Sequence, residues 1–158
     1  MKIYVDLDGV LADFSGYLLT QGLDVEEATP KEMWKKVNSI PDFYLNLPWD
    51  KYGKILWSFV KPYNPTILTG LATSTENSTE HKKAWCAREL GPEVPVIVCL
   101  KKEKKNYASP DSILIDDNRQ NIKEWIVAGG IGICHYGLRE GTKETVSELK
   151  RLLGATKK

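Results

Sequence analysis

The segment Ile3-Tyr4-Val5-Asp6-Leu7-Asp8-Gly9, residues 3–9, decides the fold. Three apolar residues come first, and two acids at alternate positions precede a glycine. A short run that is apolar on both faces is typical of a strand buried in a parallel sheet. Gly9 allows the chain to turn sharply after that strand. We therefore predict a buried first strand that ends in Asp6 and Asp8.

Further apolar runs extend this pattern along the chain. They are Thr66-Ile67-Leu68, Val94 to Cys99, Ile113-Leu114-Ile115 and Ile131-Gly132-Ile133-Cys134. Helical patterns lie between them, with one over residues 79–90, one around Trp125, and a last one over residues 146–153. Strands that alternate with helices predict an α/β fold, a doubly wound and mostly parallel sheet with helices on both faces.

Residues 15–60 break this rhythm, because the stretch has helical patterns and no convincing strand. Thr29-Pro30-Lys31-Glu32 has the spacing of a capping box with proline at the first helical position. We predict a small helical cap over 15–60, inserted after the first strand, and a core formed by 1–14 and 61–158.

The composition limits the kinds of molecule that the protein is expected to bind. The 22 Lys and Arg nearly balance the 21 Asp and Glu, so no basic field indicates a nucleic acid polymer. The odd number of cysteines, three, argues against a disulfide framework, and no apolar run approaches membrane-spanning length. We expect a cytoplasmic protein that acts on a small molecule away from membranes. Whether it forms a homodimer is left open.

Polar residues follow the apolar runs, at the edge of the sheet where ligands bind in open α/β folds. The first run ends in Asp6 and Asp8, the second in Thr69-Gly70 and the fourth in Asp116-Asp117. Lysines at 101, 102, 104 and 105 follow the third run. Clustered carboxylates repel one another, and a hard cation such as Mg²⁺ relieves that repulsion. We therefore predict a magnesium site made by Asp6, Asp8, Asp116 and Asp117.

A carboxylate beside Mg²⁺ can attack phosphorus and form an aspartyl phosphate. We predict Asp6 as the nucleophile. Asp8 points to the same side of an extended chain, so it can give a proton to the leaving oxygen and later activate water. Thr69 and one of the lysines would stabilise the charge on the phosphoryl group.

These motifs, in this order from Asp6 to Asp117, resemble those of the haloacid dehalogenase (HAD) superfamily of phosphohydrolases. More narrowly, the stretches around 6–14, 67–71 and 113–117, together with the helix that contains Lys82-Lys83-Ala84-Trp85 and Leu90-Gly91-Pro92, look like the 5'(3')-deoxyribonucleotidase family. The resemblance implies a Rossmann-like core with a small helical cap and dephosphorylation of nucleoside monophosphates. It also implies Mg²⁺ held by Asp6, the main-chain carbonyl of Asp8, and Asp116.

The same resemblance implies a substrate pocket. Phe14 matches a position that lines the base or sugar pocket, and Trp34 in the cap would supply a second aromatic wall. Thr69, Gly70 and Leu71 would bind the phosphate. Gly70 departs from the family, which often has serine there, so one hydroxyl contact to phosphate is missing.

The phosphate-stabilising lysine is ambiguous, because Lys104 and Lys105 both fit the motif. Lys104 has Tyr107 and Ala108 at offsets that suit a short helix, whereas Lys105 is nearer the family's distance to Asp116. We favour Lys104.

Other functions remain open at this point. A phosphatase of the same superfamily could act on a sugar phosphate or on the 3'-phosphate end of a polynucleotide. A receiver-like module that accepts a phosphoryl group is a non-enzymatic alternative. The order of the motifs disfavours the receiver. A receiver carries its acidic pair at the first strand and a single acceptor Asp at a later one, with Thr and Lys after it. Here Thr and Lys precede a second acidic pair.

Overall fold

The structure is a computed structural model, and it describes residues 1–155. Its centre is a five-stranded sheet in the order β3-β2-β1-β4-β5, with every neighbouring pair parallel. The strands are β1 (Lys2–Val5), β2 (Thr66–Gly70), β3 (Val96–Cys99), β4 (Ser112–Asp116) and β5 (Ile131–Cys134). The predicted parallel α/β sheet is therefore confirmed, with the strand that ends in Asp6 at its centre.

Apolar side chains cover both faces of the sheet. Ile3, Val5 and Ile115 pack into a large buried cluster on one face, whereas Tyr4 and Leu114 pack into a second cluster with Trp125 on the other. Successive side chains of a strand point to opposite faces, so strands buried on both sides read as continuous apolar runs.

The helices flank this sheet; the one predicted over 79–90 is found within a residue of those bounds, whereas the last begins at residue 139 and not at 146. They are α1 (Phe14–Thr20), α2 (Pro30–Ser39), α3 (Gly53–Val60), α4 (Ser78–Glu89), α5 (Arg119–Val127) and α6 (Arg139–Ala155). The capping box of α2 is present, because the Thr29 side chain accepts from the Glu32 amide and Glu32 accepts from the Thr29 amide. Within residues 1–155, no helix combines the length and the apolar composition needed to cross a membrane.

The stretch over residues 15–60, which the structure describes throughout, contains helices and no strand. Backbone hydrogen bonds join the chain just before this stretch to residues 48 and 50 within it. The Asp13 amide donates to Pro48 at 2.9 Å, and the Asp50 amide donates to Leu11 at 2.7 Å. Buried residues of the insert, such as Val37, belong to the same apolar cluster as those of the sheet.

Candidate active site

A cavity of about 360 Å³ opens beyond the ends of β1 and β2. Charged side chains line one part of it, and apolar side chains from the insert line another. The lining residues are Asp6, Asp8, Phe14, Met33, Trp34, Tyr44, Gly70, Leu71, Ala72, Lys82, Lys101, Lys104, Asp117, Asn118 and Asn121. Because parallel strands end at the same edge, residues far apart in sequence meet here.

Three of the predicted metal ligands form one acidic cluster. Carboxylate oxygens of Asp6, Asp116 and Asp117 all lie within 4.8 Å of one another. Gly9 permits this approach, because its φ is +84° and a Cβ there would collide with the Asp117 carboxylate. Burial, followed by the charge of Asp116, raises the pKa of Asp6 well above its usual range. Desolvation and the same charge raise the pKa of Asp117 to about 6.

Lys104 lies inside this cluster. Its ammonium donates to Asp6 Oδ1 at 3.1 Å and to Asp116 Oδ2 at 2.8 Å, and its side chain is 3% exposed. Burial by itself would lower the pKa of Lys104, but the carboxylates of Asp6 and Asp116 outweigh it and hold the pKa above the ordinary value. Lys104 is therefore charged, in contact with the predicted nucleophile.

Lys105 lies elsewhere. Its ammonium is 3.8 Å from Glu124, and its side chain is 47% exposed. Both lysines belong to the 3₁₀ helix Lys101–Tyr107, and successive residues of such a helix project about a third of a turn apart. Of the two candidate lysines, only Lys104 projects into the acidic cluster, and Lys105 does not.

Asp116 is fully buried and does not line the cavity itself. Besides Lys104, the Asn121 side chain donates to its Oδ2 at 3.1 Å, and the Asn118 amide donates to its Oδ1 at 2.9 Å. These bonds fix the orientation of the carboxylate that lies between Asp6 and Asp117.

Asp8 pairs with Lys82, a lysine to which the sequence analysis assigned no role. Lys82 of α4 is 3% exposed, and its ammonium lies 2.9 Å from Asp8 Oδ2. The same ammonium donates to Gly70 O at 2.6 Å and to Thr69 Oγ1 at 3.3 Å. Asp8 Oδ1 is buried and has no hydrogen-bond partner among the described residues. One oxygen of Asp8 is thus fixed, and the other is unengaged.

The predicted phosphate-binding segment lies beside this pair. Gly70 and Leu71 line the cavity, and Leu71 is held by the hydrogen bond from its amide to Cys99 O at 2.7 Å. Thr69 is fully buried behind them, with its hydroxyl on Lys82. The structure therefore brings Gly70 and Leu71 to the cavity wall and leaves the Thr69 side chain beneath it.

Aromatic side chains form the wall on the side of the insert. Phe14 and Trp34, the two predicted pocket aromatics, have ring centroids 6.5 Å apart in an edge-to-face arrangement. Tyr44 adds a third ring, 6.3 Å from Phe14, and Lys82 lies 4.6 Å from its centroid. Tyr44 and Met33 were not predicted from the sequence. The cavity is thus lined by charged side chains on the sheet side and by apolar ones on the insert side.

The acidic cluster fits the magnesium ion that the resemblance implies. Its donors are carboxylate oxygens, which hard divalent cations prefer, and they converge from two strand ends. Asp6, Asp8, Asp116 and Asp117 outnumber the two lysines that pair with them. This excess negative charge is what a divalent cation would neutralise. The carboxylate of Asp8, the fourth predicted ligand, pairs with Lys82 and is not part of this cluster of three.

The same arrangement of strands and helices occurs in solved structures of low sequence identity. A HAD-superfamily hydrolase from Ehrlichia chaffeensis matches with a TM-score of 0.57 and 12% identity, covering 96% of this chain and 97% of that one. The chain shares the fold of a HAD-superfamily hydrolase. A dehalogenase matches with a TM-score of 0.55 and 12% identity over 96% of both chains. At this coverage the matched part has to include most of the helical insert.

A further match is weaker. A HAD family enzyme from Bacteroides thetaiotaomicron, in complex with magnesium and inorganic phosphate, has a TM-score of 0.46 and 15% identity over 86% of this chain and 94% of that one. No protein-family model matches the sequence, and no curated protein matches it.

Proposed function

We propose that this protein is a magnesium-dependent phosphomonoesterase that uses Asp6 as its nucleophile. The observation that carries the proposal is the contact of Lys104 with Asp6 and Asp116 inside a cluster that also contains Asp117. Asp6, Asp116 and Asp117 would hold the ion. When bound, Mg²⁺ would neutralise charge on the cluster and on the substrate phosphate.

In the proposed reaction, a carboxylate oxygen of Asp6 attacks phosphorus and the bond to the ester oxygen breaks. Asp8 gives its proton to the departing oxygen. In the second step Asp8 takes a proton from water, the water oxygen attacks phosphorus, and the Asp6 carboxylate is released together with inorganic phosphate. Lys104 stabilises the negative charge of the transferred phosphoryl group.

The unengaged Oδ1 of Asp8 is the atom that would carry this proton, since Oδ2 is held by Lys82. Lys82 keeps Asp8 in one orientation during both steps.

For the substrate, we propose a nucleoside 5'- or 3'-monophosphate. The support is the aromatic wall of Phe14, Trp34 and Tyr44, because flat rings bind the faces of nucleobases. We propose residues 15–60 as the cap, which supplies Trp34 and Tyr44 to this wall, whereas Phe14 comes from the end of the core segment 1–14. A sugar phosphate would make little use of three aromatic rings, and a polynucleotide end would require a basic surface for its backbone.

Asp6→Asn tests the proposal. Purified protein is incubated with deoxy- and ribonucleoside 5'- and 3'-monophosphates and with sugar phosphates, with Mg²⁺ or with EDTA, and released phosphate is measured. Wild-type protein should act on nucleotides only with Mg²⁺, and Asp6→Asn should lose essentially all turnover because the attacking oxygen is gone. Near wild-type turnover in Asp6→Asn would refute the nucleophile. Activity confined to sugar phosphates would refute the nucleotide.

A further inference from the structure

Gly70 has no side chain to contact a bound phosphate, and the side chain of Lys101 lies opposite it. A Cβ placed on Gly70 would lie 3.4 Å from Cγ and 3.9 Å from Cε of Lys101. The stem of Lys101 therefore lies directly over Gly70, and a serine side chain would share this space with it. Both residues line the cavity that contains Asp6.

Lys101 also differs in charge pairing from the other lysines of the cavity. Lys82 pairs with Asp8, and Lys104 pairs with Asp6 and Asp116. Lys101 forms no ion pair with any carboxylate of residues 1–155. An ammonium that pairs with no carboxylate, at the wall of a cavity whose other two lysines are paired, is free to bind an anion that enters the cavity.

The helix that carries Lys101 explains its direction. Lys101 begins the 3₁₀ helix Lys101–Tyr107, and side chains at i and i+3 of a 3₁₀ helix lie on the same side. Lys101 thus projects on the side of Lys104, which contacts the nucleophile. Lys102 projects elsewhere and does not line the cavity.

We propose that Lys101 is a substrate-binding residue that contacts a non-bridging oxygen of the phosphoryl group, where Gly70 supplies no hydroxyl. The inference rests on the proposed phosphatase function. It also defines the substrate class more closely. A cation in addition to Lys104 and the metal favours a phosphate monoester, which carries two negative charges, over a phosphate diester, which carries one.

Lys101→Met tests this role, because methionine keeps much of the apolar stem and removes the charge. Lys102→Met is the matched control, since it removes the same charge from the adjacent exposed position. We expect Lys101→Met to raise KM for the monoester, and Ki for inorganic phosphate, by about tenfold, with a smaller effect on kcat. Lys102→Met should change neither constant by more than about twofold.

A second variant tests the pairing with Gly70. Gly70→Ser combined with Lys101→Ala should recover part of the affinity for phosphate that Lys101→Ala alone loses, because alanine removes the stem that shares this space and the serine hydroxyl can occupy it. Unchanged KM and Ki in Lys101→Met would overturn the inference, as would equal effects of Lys101→Met and Lys102→Met. Melting temperatures of all variants establish that the affinities compared are those of folded protein.

The failure of the proposed function has a different signature. Wild-type protein that releases no phosphate from any monoester would refute the phosphatase. Calorimetric titration of wild type and Lys101→Met with inorganic phosphate and Mg²⁺ then decides the binding role independently of turnover. Equal phosphate affinity of the two proteins would overturn the inference in that case too.

Discussion

Replacing Asp117 by asparagine should stabilise the protein when no metal is bound. Desolvation and the charge of Asp116 raise the pKa of the Asp117 carboxyl from 3.8 to about 6. That rise corresponds to roughly 3 kcal/mol of unfavourable free energy for the ionised form. Because the residue is exposed, solvent screening reduces the expected contribution to about 1 kcal/mol.

The sign follows from proton binding. Between pH 3.8 and about 6 the folded protein holds a proton on Asp117 that the unfolded chain has lost. The carboxyl therefore destabilises the fold fully above about pH 6, and this destabilisation decreases as the pH falls from about 6 to 3.8. Asparagine is neutral at every pH, so Asp117→Asn should gain stability above about pH 6 and little below about pH 4.

Urea unfolding followed by tryptophan fluorescence measures the effect. In EDTA at about pH 8, Asp117→Asn should raise the free energy of unfolding by about 1 kcal/mol, or Tm by about 3 °C. Adding millimolar Mg²⁺ should narrow or reverse the difference, because Asp117 is one of the proposed ligands and asparagine lacks its full charge. Asp111→Asn is the control, since it removes one charge from an exposed carboxylate that accepts a hydrogen bond from Ser109. Equal or lower stability of Asp117→Asn in EDTA would refute the reasoning.

Two further perturbations test the buried polar groups. Lys82→Met should lower the free energy of unfolding by about 3 kcal/mol, because it leaves Asp8 without its partner. Adding Asp8→Asn should restore much of this loss. Lys83→Met, at the exposed neighbouring position, should lower the free energy of unfolding by less than about 0.5 kcal/mol in the same urea titration. Burial lowers the pKa of His135 to about 4. Between about pH 6.5 and pH 4 the unfolded chain therefore binds a proton on this histidine that the folded protein does not bind. Stability should then fall by about 3 kcal/mol between those values; His135→Gln should flatten that slope in a pH series of Tm, and a slope unchanged from wild type would contradict this origin.

The sheet was predictable because strands buried on both faces leave an unambiguous signal. Apolar runs around Ile67 and Leu114 became β2 and β4, and the acids that follow β1 and β4 meet because parallel strands end at one edge. The boundaries were less exact. The run from Val94 to Cys99 pairs as a strand only from Val96, because Pro95 has no amide to donate to a neighbouring strand.

Lys82 was missed for a physical reason. A lysine in a polar helix is normally solvated, and α4 is polar over most of its length. The available signal was spacing, since Ser78, Lys82 and Trp85 fall four and three residues apart, and helical periodicity places them on one face with the buried tryptophan. That pattern indicates a buried lysine. It does not reveal the partner, because the contact with Asp8 depends on how α4 packs against the end of β1.

The choice between Lys104 and Lys105 could not be made from sequence for a related reason. The motif fixes an approximate distance to Asp116, whereas the direction of a side chain depends on whether the local helix turns every three residues or every 3.6. In the 3₁₀ geometry that the chain adopts, one residue of difference separates a buried ion pair from an exposed one.

The two backbone hydrogen bonds from Asp13 to Pro48 and from Asp50 to Leu11 bring together the two ends of residues 14–47, a segment that also packs against the sheet. A segment of another length that ends in the same two bonds would leave the exit of β1, and with it Asp6, unchanged. Phe14 and Trp34 would go with the segment, since both lie between the bonded ends. Under the proposed function, a different segment at residues 14–47 would change which ester the cavity binds, while the acids at the strand ends would stay the same.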